Sequence, residues 1–156
     1  MNFSSPILGA SIVVLAITQP ALILALEPTQ VNEIAKNITV RIEIENGTNT
    51  DHGSGVIIAR DNSRYYVLSA KHVVKYLDYG YTIVAPDGAS YQLDNSTIKY
   101  ADDVDLAVVA FESDRNYKVA LIESSRARIV PGIPIYINGF PAAGQEIQEG
   151  AQFTSG

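Results

Sequence analysis

Short runs of strand-forming residues fill the chain from Ile38 to Asn138, and this pattern constrains the fold more than any other feature. In residues 38–44 apolar side chains alternate with polar ones, which is typical of a strand with one buried and one wet face. Similar short runs follow at residues 55–59, 65–69, 79–85, 89–93, 106–111 and 133–138. Six or seven strands at close spacing, without a βαβ rhythm, predict an all-β barrel or sandwich.

Turn-forming residues separate these runs. The polar stretch 46–53 is predicted as a connection, and Pro86-Asp87-Gly88 predicts a tight turn that joins its two flanking strands into a hairpin. The Ser69 hydroxyl is expected to cap a short helical turn after the third strand. Residues 27–36 carry apolar side chains at helical spacing and predict a short helix or a leader packed on the domain.

The first 26 residues differ from the rest because no charged side chain occurs before Glu27. Apolar residues dominate from Ile7 to Ile17, and a second apolar piece precedes a small-residue cleavage point after Ala25. This pattern predicts a secretory signal peptide over residues 1–26 and therefore an exported protein. The alternative is an uncleaved membrane anchor, although each apolar piece is shorter than the roughly 20 residues of a spanning helix.

The composition excludes several kinds of site. The 156 residues carry a net charge of −6 without an evident basic patch, so nucleic acid is not an expected partner. The absence of cysteine excludes a disulfide framework, a thiolate nucleophile and a cysteine-based metal site. The only histidines are His52 and His72, too few for a histidine-rich zinc site. We expect no metal and no cofactor.

One of these histidines is a candidate general base. His72 follows the strand 65–69, where a side chain that exchanges a proton near neutral pH would be held at the end of a rigid element. Asp105 lies 33 residues later (105 − 72), just before another predicted strand. A carboxylate that accepts a hydrogen bond from one imidazole nitrogen fixes the tautomer and stabilises the imidazolium formed during proton transfer. Taken singly, both residues also fit ordinary structural roles at strand ends.

Three motifs in a fixed order favour the catalytic interpretation of His72 and Asp105 over the structural one. They are Gly-Ser-Gly-Val-Ile-Ile at 53–58, Val-Leu-Ser-Ala-Lys-His-Val-Val at 67–74 and Asp-Val-Asp-Leu-Ala-Val at 103–108. The set resembles the trypsin-like serine proteases of chymotrypsin fold, most closely the bacterial Deg-type branch, whose triad runs His, Asp, Ser along the chain. The resemblance implies a six-stranded antiparallel β-barrel, with His72 as the base and Asp105 as the orienting acid.

The resemblance does not supply the third triad member. In the family the nucleophilic serine lies in a Gly-Asp/Asn-Ser-Gly turn of a second barrel, which also provides the oxyanion donors. Ser54 precedes His72 and matches the strand-leading motif instead, and Ser155 has Phe153 where the turn needs glycine. We therefore expect no nucleophile among these residues. Ile-Asn-Gly-Phe-Pro at 137–141 resembles the family's entry into the second barrel.

These observations predict a signal peptide at 1–26, a leader at 27–37, an N-terminal trypsin-like barrel at 38–130 and the start of a truncated second barrel at 131–156. The resemblance, with the signal pattern, implies an exported serine endopeptidase that cleaves polypeptides, represented by an N-terminal part that is expected to be inactive alone. The alternatives are a protease-derived barrel that binds a peptide or protein without catalysis, and a structural β-domain with chance matches. Membrane contact is expected only if the first segment stays uncleaved. A bare inter-barrel face would favour self-association.

Overall fold

The computed structural model describes residues 26–47, 49–122, 131–141 and 152–155. The predicted leader is a helix, α1, over Pro28–Ile38. Pro28 opens it at a position where the missing N–H costs nothing, and the Gln30 side chain accepts a 2.9 Å hydrogen bond from the Glu27 N–H. The predicted signal peptide lies outside the described residues, apart from Leu26.

Most strands agree with the predicted apolar runs, but in the run 133–138 the strand begins only at Tyr136. They are β1 Thr39–Asn46, β2 Asn49–Asp61, β3 Arg64–Ser69, β4 Gly80–Val84, β5 Ser90–Gln92, β6 Lys99–Tyr100, β7 Ala107–Glu112, β8 Tyr136–Gly139 and β9 Gln152–Ser155. Short 3₁₀ turns cover Lys71–Val73 and Asn95–Thr97. In the described ranges, no helix combines the length and apolar character needed to cross a membrane.

The first seven strands form one antiparallel sheet in the order β5-β4-β1-β2-β3-β7-β6. Its two edge strands, β5 and β6, are consecutive in the chain and separated only by a short 3₁₀-containing link. The stretch from Ser90 to Tyr100 therefore pairs with β4 at one end and β7 at the other, and it closes the sheet on itself. Counted as one bent strand, it gives the six-stranded antiparallel barrel that the resemblance implies.

The stretch 46–53 is not the predicted connection. β2 begins at Asn49, and its residues 49–56 pair with the whole of β1, so that His52 lies opposite Glu43 and the hairpin turn falls between Asn46 and Asn49. Gly47 has a φ of 59°, which a tight hairpin turn requires. Residues 49–51 are exposed, so their polarity reflects a hairpin that projects beyond the core rather than a loop.

Alternating side chains of the strands fill the barrel interior. Val40, Ile42, Ile57, Val67 and Val109 are fully buried, as period-2 patterning predicts. The apolar segment 119–122 is not a strand. It makes one backbone hydrogen bond to the barrel, from Ala120 N–H to the Ile57 carbonyl at 2.8 Å, and the Leu121 side chain is 94% exposed.

Aromatic rings close the end of the barrel formed by residues 111–117. Tyr65 stacks on Phe111 with ring centroids 5.2 Å apart, and its hydroxyl donates to the Arg115 carbonyl at 2.8 Å. Tyr117 packs edge-on against Tyr65, and its hydroxyl oxygen lies 2.7 Å from the hydroxyl oxygen of Tyr91. Burial, followed by the hydroxyl contact with Tyr91 and the hydrogen bond to Asp87, raises the pKa of Tyr117.

Strands β8 and β9 form a separate two-stranded antiparallel sheet. The chain leaving β8 is fastened to the barrel through Ser54, whose hydroxyl accepts from the Phe140 N–H at 2.7 Å and lies 3.2 Å from the Phe140 carbonyl. A Cβ on Gly139 would lie only 2.9 Å from the same hydroxyl oxygen, so glycine permits this close approach. His52 contributes a 2.6 Å contact to the Pro141 carbonyl.

Candidate active site

The two predicted site residues leave the barrel at the same edge. Strands β3 and β7 are neighbours in the sheet, and Ser69, the last residue of β3, pairs with Ala107, the first residue of β7. His72 lies in the 3₁₀ turn just after β3, and Asp105 lies just before β7. Because the strands are antiparallel and in register here, the two side chains are delivered to one point on the rim.

The side chains of His72 and Asp105 are hydrogen-bonded to one another. The distance from His72 Nδ1 to Asp105 Oδ2 is 2.6 Å, and Asp105 Oδ1 accepts from the His72 backbone N–H at 2.9 Å. An ionised carboxylate can only accept, so this contact assigns the neutral-ring proton to Nδ1 and leaves the lone pair on Nε2. The two side chains are 65% and 58% exposed, so the free nitrogen is open to an incoming group.

The hydrogen bonds also tune Asp105. The bond from the His72 side chain, followed by the bond from the His72 backbone N–H, lowers the pKa of the Asp105 carboxyl below its ordinary value. Asp105 therefore stays ionised wherever it must hold an imidazolium. Because folding lowers the pKa of Asp105, the ionised carboxylate stabilises the folded chain at pH values above the pKa of this group in the unfolded chain. That stabilisation is lost as the pH falls through the pKa of the group in the folded chain.

This electrostatic coupling predicts a specific titration. In the intact chain, the Asp105 carboxyl carbon followed by NMR should titrate below the ordinary 3.8, and His72→Ala should move that midpoint upward because the largest cause is removed. Asp94 is an internal control, since hydrogen bonds from Ser96 lower its pKa and His72 does not touch it. An unchanged Asp105 midpoint in the variant would contradict the coupling.

The turn that carries His72 is seated on β2 at a glycine. A Cβ on Gly53 would lie 2.6 Å from Cγ1 and 2.7 Å from Cγ2 of Val73, closer than such atoms can approach. Only glycine lets the residue after His72 pack directly onto the strand. The Gly-Ser-Gly motif therefore has two local functions, because Gly53 admits the turn and Ser54 anchors Phe140.

The Ser69 hydroxyl does not cap this turn, which corrects the sequence prediction. It donates to the Ser54 carbonyl at 2.8 Å, and the residue at the N-cap position is Ala70, without a side-chain cap. Ser69 is buried on β3 and lies opposite Gly55 of β2, so the nearest acceptor is on that strand rather than in the turn.

Within the described residues, no serine hydroxyl is hydrogen-bonded to His72. Ser54 is engaged with Phe140, as described above, and is therefore not a third member of the pair. Ser124 and Ser125 lie outside the described residues. The arrangement can hold one imidazole tautomer and accept a proton at Nε2, which is the chemistry of a general base with its orienting acid.

Comparison with known proteins agrees with this architecture. Residues 53–156 match the family model of the trypsin-like peptidase domain. The curated proteins gave no significant sequence match. Among solved structures, the crystal structure of the serine endoprotease from Yersinia pestis is similar over 85% of this chain, with a TM-score of 0.64 and 22% identity. The chain spans 44% of that protein's length.

Proposed function

Because the chain belongs to the trypsin-like peptidase family, we propose that it is the part of a serine endopeptidase that supplies the general base and its orienting acid. The observation that carries the proposal is the 2.6 Å contact between His72 Nδ1 and Asp105 Oδ2. In this role Nε2 of His72 takes the proton from a serine hydroxyl as that oxygen attacks the peptide carbonyl. The same nitrogen then returns the proton to the leaving amine.

The carboxylate acts on the imidazole rather than on the substrate. Asp105 holds the ring in one orientation through two hydrogen bonds, one to Nδ1 and one to the His72 backbone N–H. It stabilises the imidazolium that forms when the serine proton arrives. Its depressed pKa fits this role, because a carboxyl that stayed protonated could not offset the new positive charge.

We further propose that these 156 residues do not hydrolyse peptides on their own. None of the serines has the Gly-Asp/Asn-Ser-Gly surroundings of the family's nucleophile turn, and that turn also provides the oxyanion donors. Without a nucleophile and an oxyanion site, the remaining base has no hydroxyl to activate. The active enzyme would contain further chain that carries this turn, and its substrates would be polypeptides.

A serine-directed fluorophosphonate probe tests both statements. The purified chain should remain unlabelled, whereas a longer product that includes a Gly-x-Ser-Gly turn should be labelled once, at that serine. Denatured protein serves as the control for non-specific labelling. Stoichiometric labelling of the 156-residue chain would overturn the proposed inactivity, and an unlabelled longer product would overturn the assignment as an endopeptidase.

A non-catalytic barrel that binds a peptide or protein is the second candidate. It is favoured by several large apolar side chains that are exposed beyond the barrel, namely Leu121, Ile122, Ile133, Ile135 and Ile137. A surface of this kind is typical of a contact with other chain segments or with a second copy. If the longer product is unlabelled by the probe and still binds peptides, this candidate replaces the enzyme.

Export belongs to the proposal as well. Its support is the uncharged, largely apolar sequence before Glu27, which has the length and the small residues of a cleavable signal. The mature chain would then begin at residue 26 or 27, directly before helix α1.

A further inference from the structure

Tyr100 is placed between the two loops that carry the proposed base and acid. It is the last residue of β6 and pairs with Ala107, the first residue of β7, so its backbone lies beside the loop that presents Asp105. That loop closes back on its own start, with the Ala101 N–H donating to the Leu106 carbonyl at 3.0 Å. The position of Asp105 is therefore tied to the strand that ends in Tyr100.

The side chain of Tyr100 reaches the other loop. Its hydroxyl donates to the carbonyl of Val74 at 2.8 Å, and Val74 directly follows the 3₁₀ turn that holds His72. The Val74 N–H in turn donates to the Lys71 carbonyl at 3.2 Å, which closes the turn around His72. The ring of Tyr100 also lies 5.6 Å from the Lys71 ammonium, within cation–π range.

The hydroxyl bond is hard to replace. Val74 is fully buried with Tyr100 in place, so its carbonyl stays shielded from water when only the Tyr100 hydroxyl is lost and the ring remains. A buried acceptor without a partner costs much more than an exposed one, and the turn would open or shift to satisfy it. This single side chain therefore links the turn of His72 to the loop of Asp105 across the open rim.

We infer that Tyr100 is a positioning residue that holds His72 and Asp105 at hydrogen-bonding distance, an inference that rests on the proposed function for its catalytic meaning. The pair is more than half exposed and cannot rely on surrounding packing to fix its geometry. Gly53 seats the turn on β2, and Tyr100 fixes it from β6, the strand that pairs with β7. Nothing in the role requires Tyr100 to touch the substrate.

The test uses Tyr100→Phe, which keeps the ring over Lys71 and removes only the hydroxyl. Solvent exchange of the His72 backbone N–H and of the Nδ1 proton, measured by NMR, reports the two bonds to Asp105 directly. We expect both protons to exchange about tenfold faster than in the unchanged chain, because local opening of the turn no longer breaks the Val74 bond. The downfield Nδ1 proton signal should also move upfield.

Tyr91→Phe is the matched control, because it removes a hydroxyl bonded to Ser113 and Tyr117 in the aromatic cluster. It should lower overall stability and leave the His72 protons unchanged. Equal acceleration by the two variants would overturn the inference, since the effect would then be general destabilisation. If Tyr100→Phe does not fold, the inference is tested in the unchanged chain by the exchange rate of the Tyr100 hydroxyl proton. A Tyr100 hydroxyl proton that exchanges as fast as in a free tyrosine would overturn the inference.

These outcomes are separable from the fate of the proposed function. The exchange rates depend only on the geometry of His72 and Asp105 in this chain, and they need no nucleophile. Serine labelling of a longer product tests the peptidase assignment and does not depend on Tyr100.

Discussion

Replacing Gly55 by alanine should lower the free energy of unfolding by about 3 kcal/mol, a large part of the total stability of a small domain. Gly55 lies on β2 at the centre of the barrel sheet, opposite Val40 of β1 and Ser69 of β3. A Cβ at this position would lie 2.4 Å from Cγ1 of Val67 and 3.1 Å from Cγ2 of Val40. Both valines are fully buried, so neither can move aside without displacing other core side chains.

The control for this prediction is Gly80→Ala. Gly80 also lies in a strand, β4, but a Cβ there would meet only the Glu45 side chain at 3.4 Å, an ordinary van der Waals distance. The free energy of unfolding of Gly80→Ala should differ from that of the unchanged chain by no more than about 0.5 kcal/mol. Alanine at this position restricts the unfolded chain and causes no clash in the folded one. Chemical denaturation of both variants provides the comparison. Equal midpoints would show that the space around Gly55 is not limiting.

The barrel could be predicted from sequence because burial and chain period coincide. In β1, Val40 and Ile42 point into a closed interior while Arg41 and Glu43 face outward. The alternation of apolar and polar residues therefore predicts both the strand and its buried face. The extent of β2 could not be predicted in the same way. Its first residues lie beyond the core with both faces wet, and polar strands there have the same composition as loops.

The meeting of His72 and Asp105 was predicted by motif order, and the register of β3 with β7 gives its physical basis. The contacts that support the pair, at Gly53 and Tyr100, are much harder to predict from the sequence. The clash that requires Gly53 depends on Val73, and the Tyr100 bond depends on the carbonyl of Val74, which any residue would provide. Side-chain bonds to backbone atoms far along the chain leave no residue pattern, so they emerge only in three dimensions.

Asp105→Asn should cause the largest functional loss. In a longer product that carries the nucleophile, kcat should fall about 10⁴-fold, with the barrel intact. The reason lies in the tautomer. The carboxylate accepts from Nδ1 of His72, whereas an asparagine amide can donate to that nitrogen and so place the ring proton on Nε2. His72 would then present a proton, rather than a lone pair, to the serine hydroxyl.

The tautomer change can be measured in the 156-residue chain itself. Nitrogen-15 shifts of His72 should report a proton on Nδ1 in the unchanged chain and on Nε2 in Asp105→Asn. Asp103→Asn is the matched control, because it makes the same charge change in the same exposed loop, whereas the carboxylate that bonds to His72 is that of Asp105. It should preserve both the tautomer and the activity of the longer product. A His72 tautomer that is the same in both variants would refute the orienting role of Asp105, since the pair would then be a contact without directional effect.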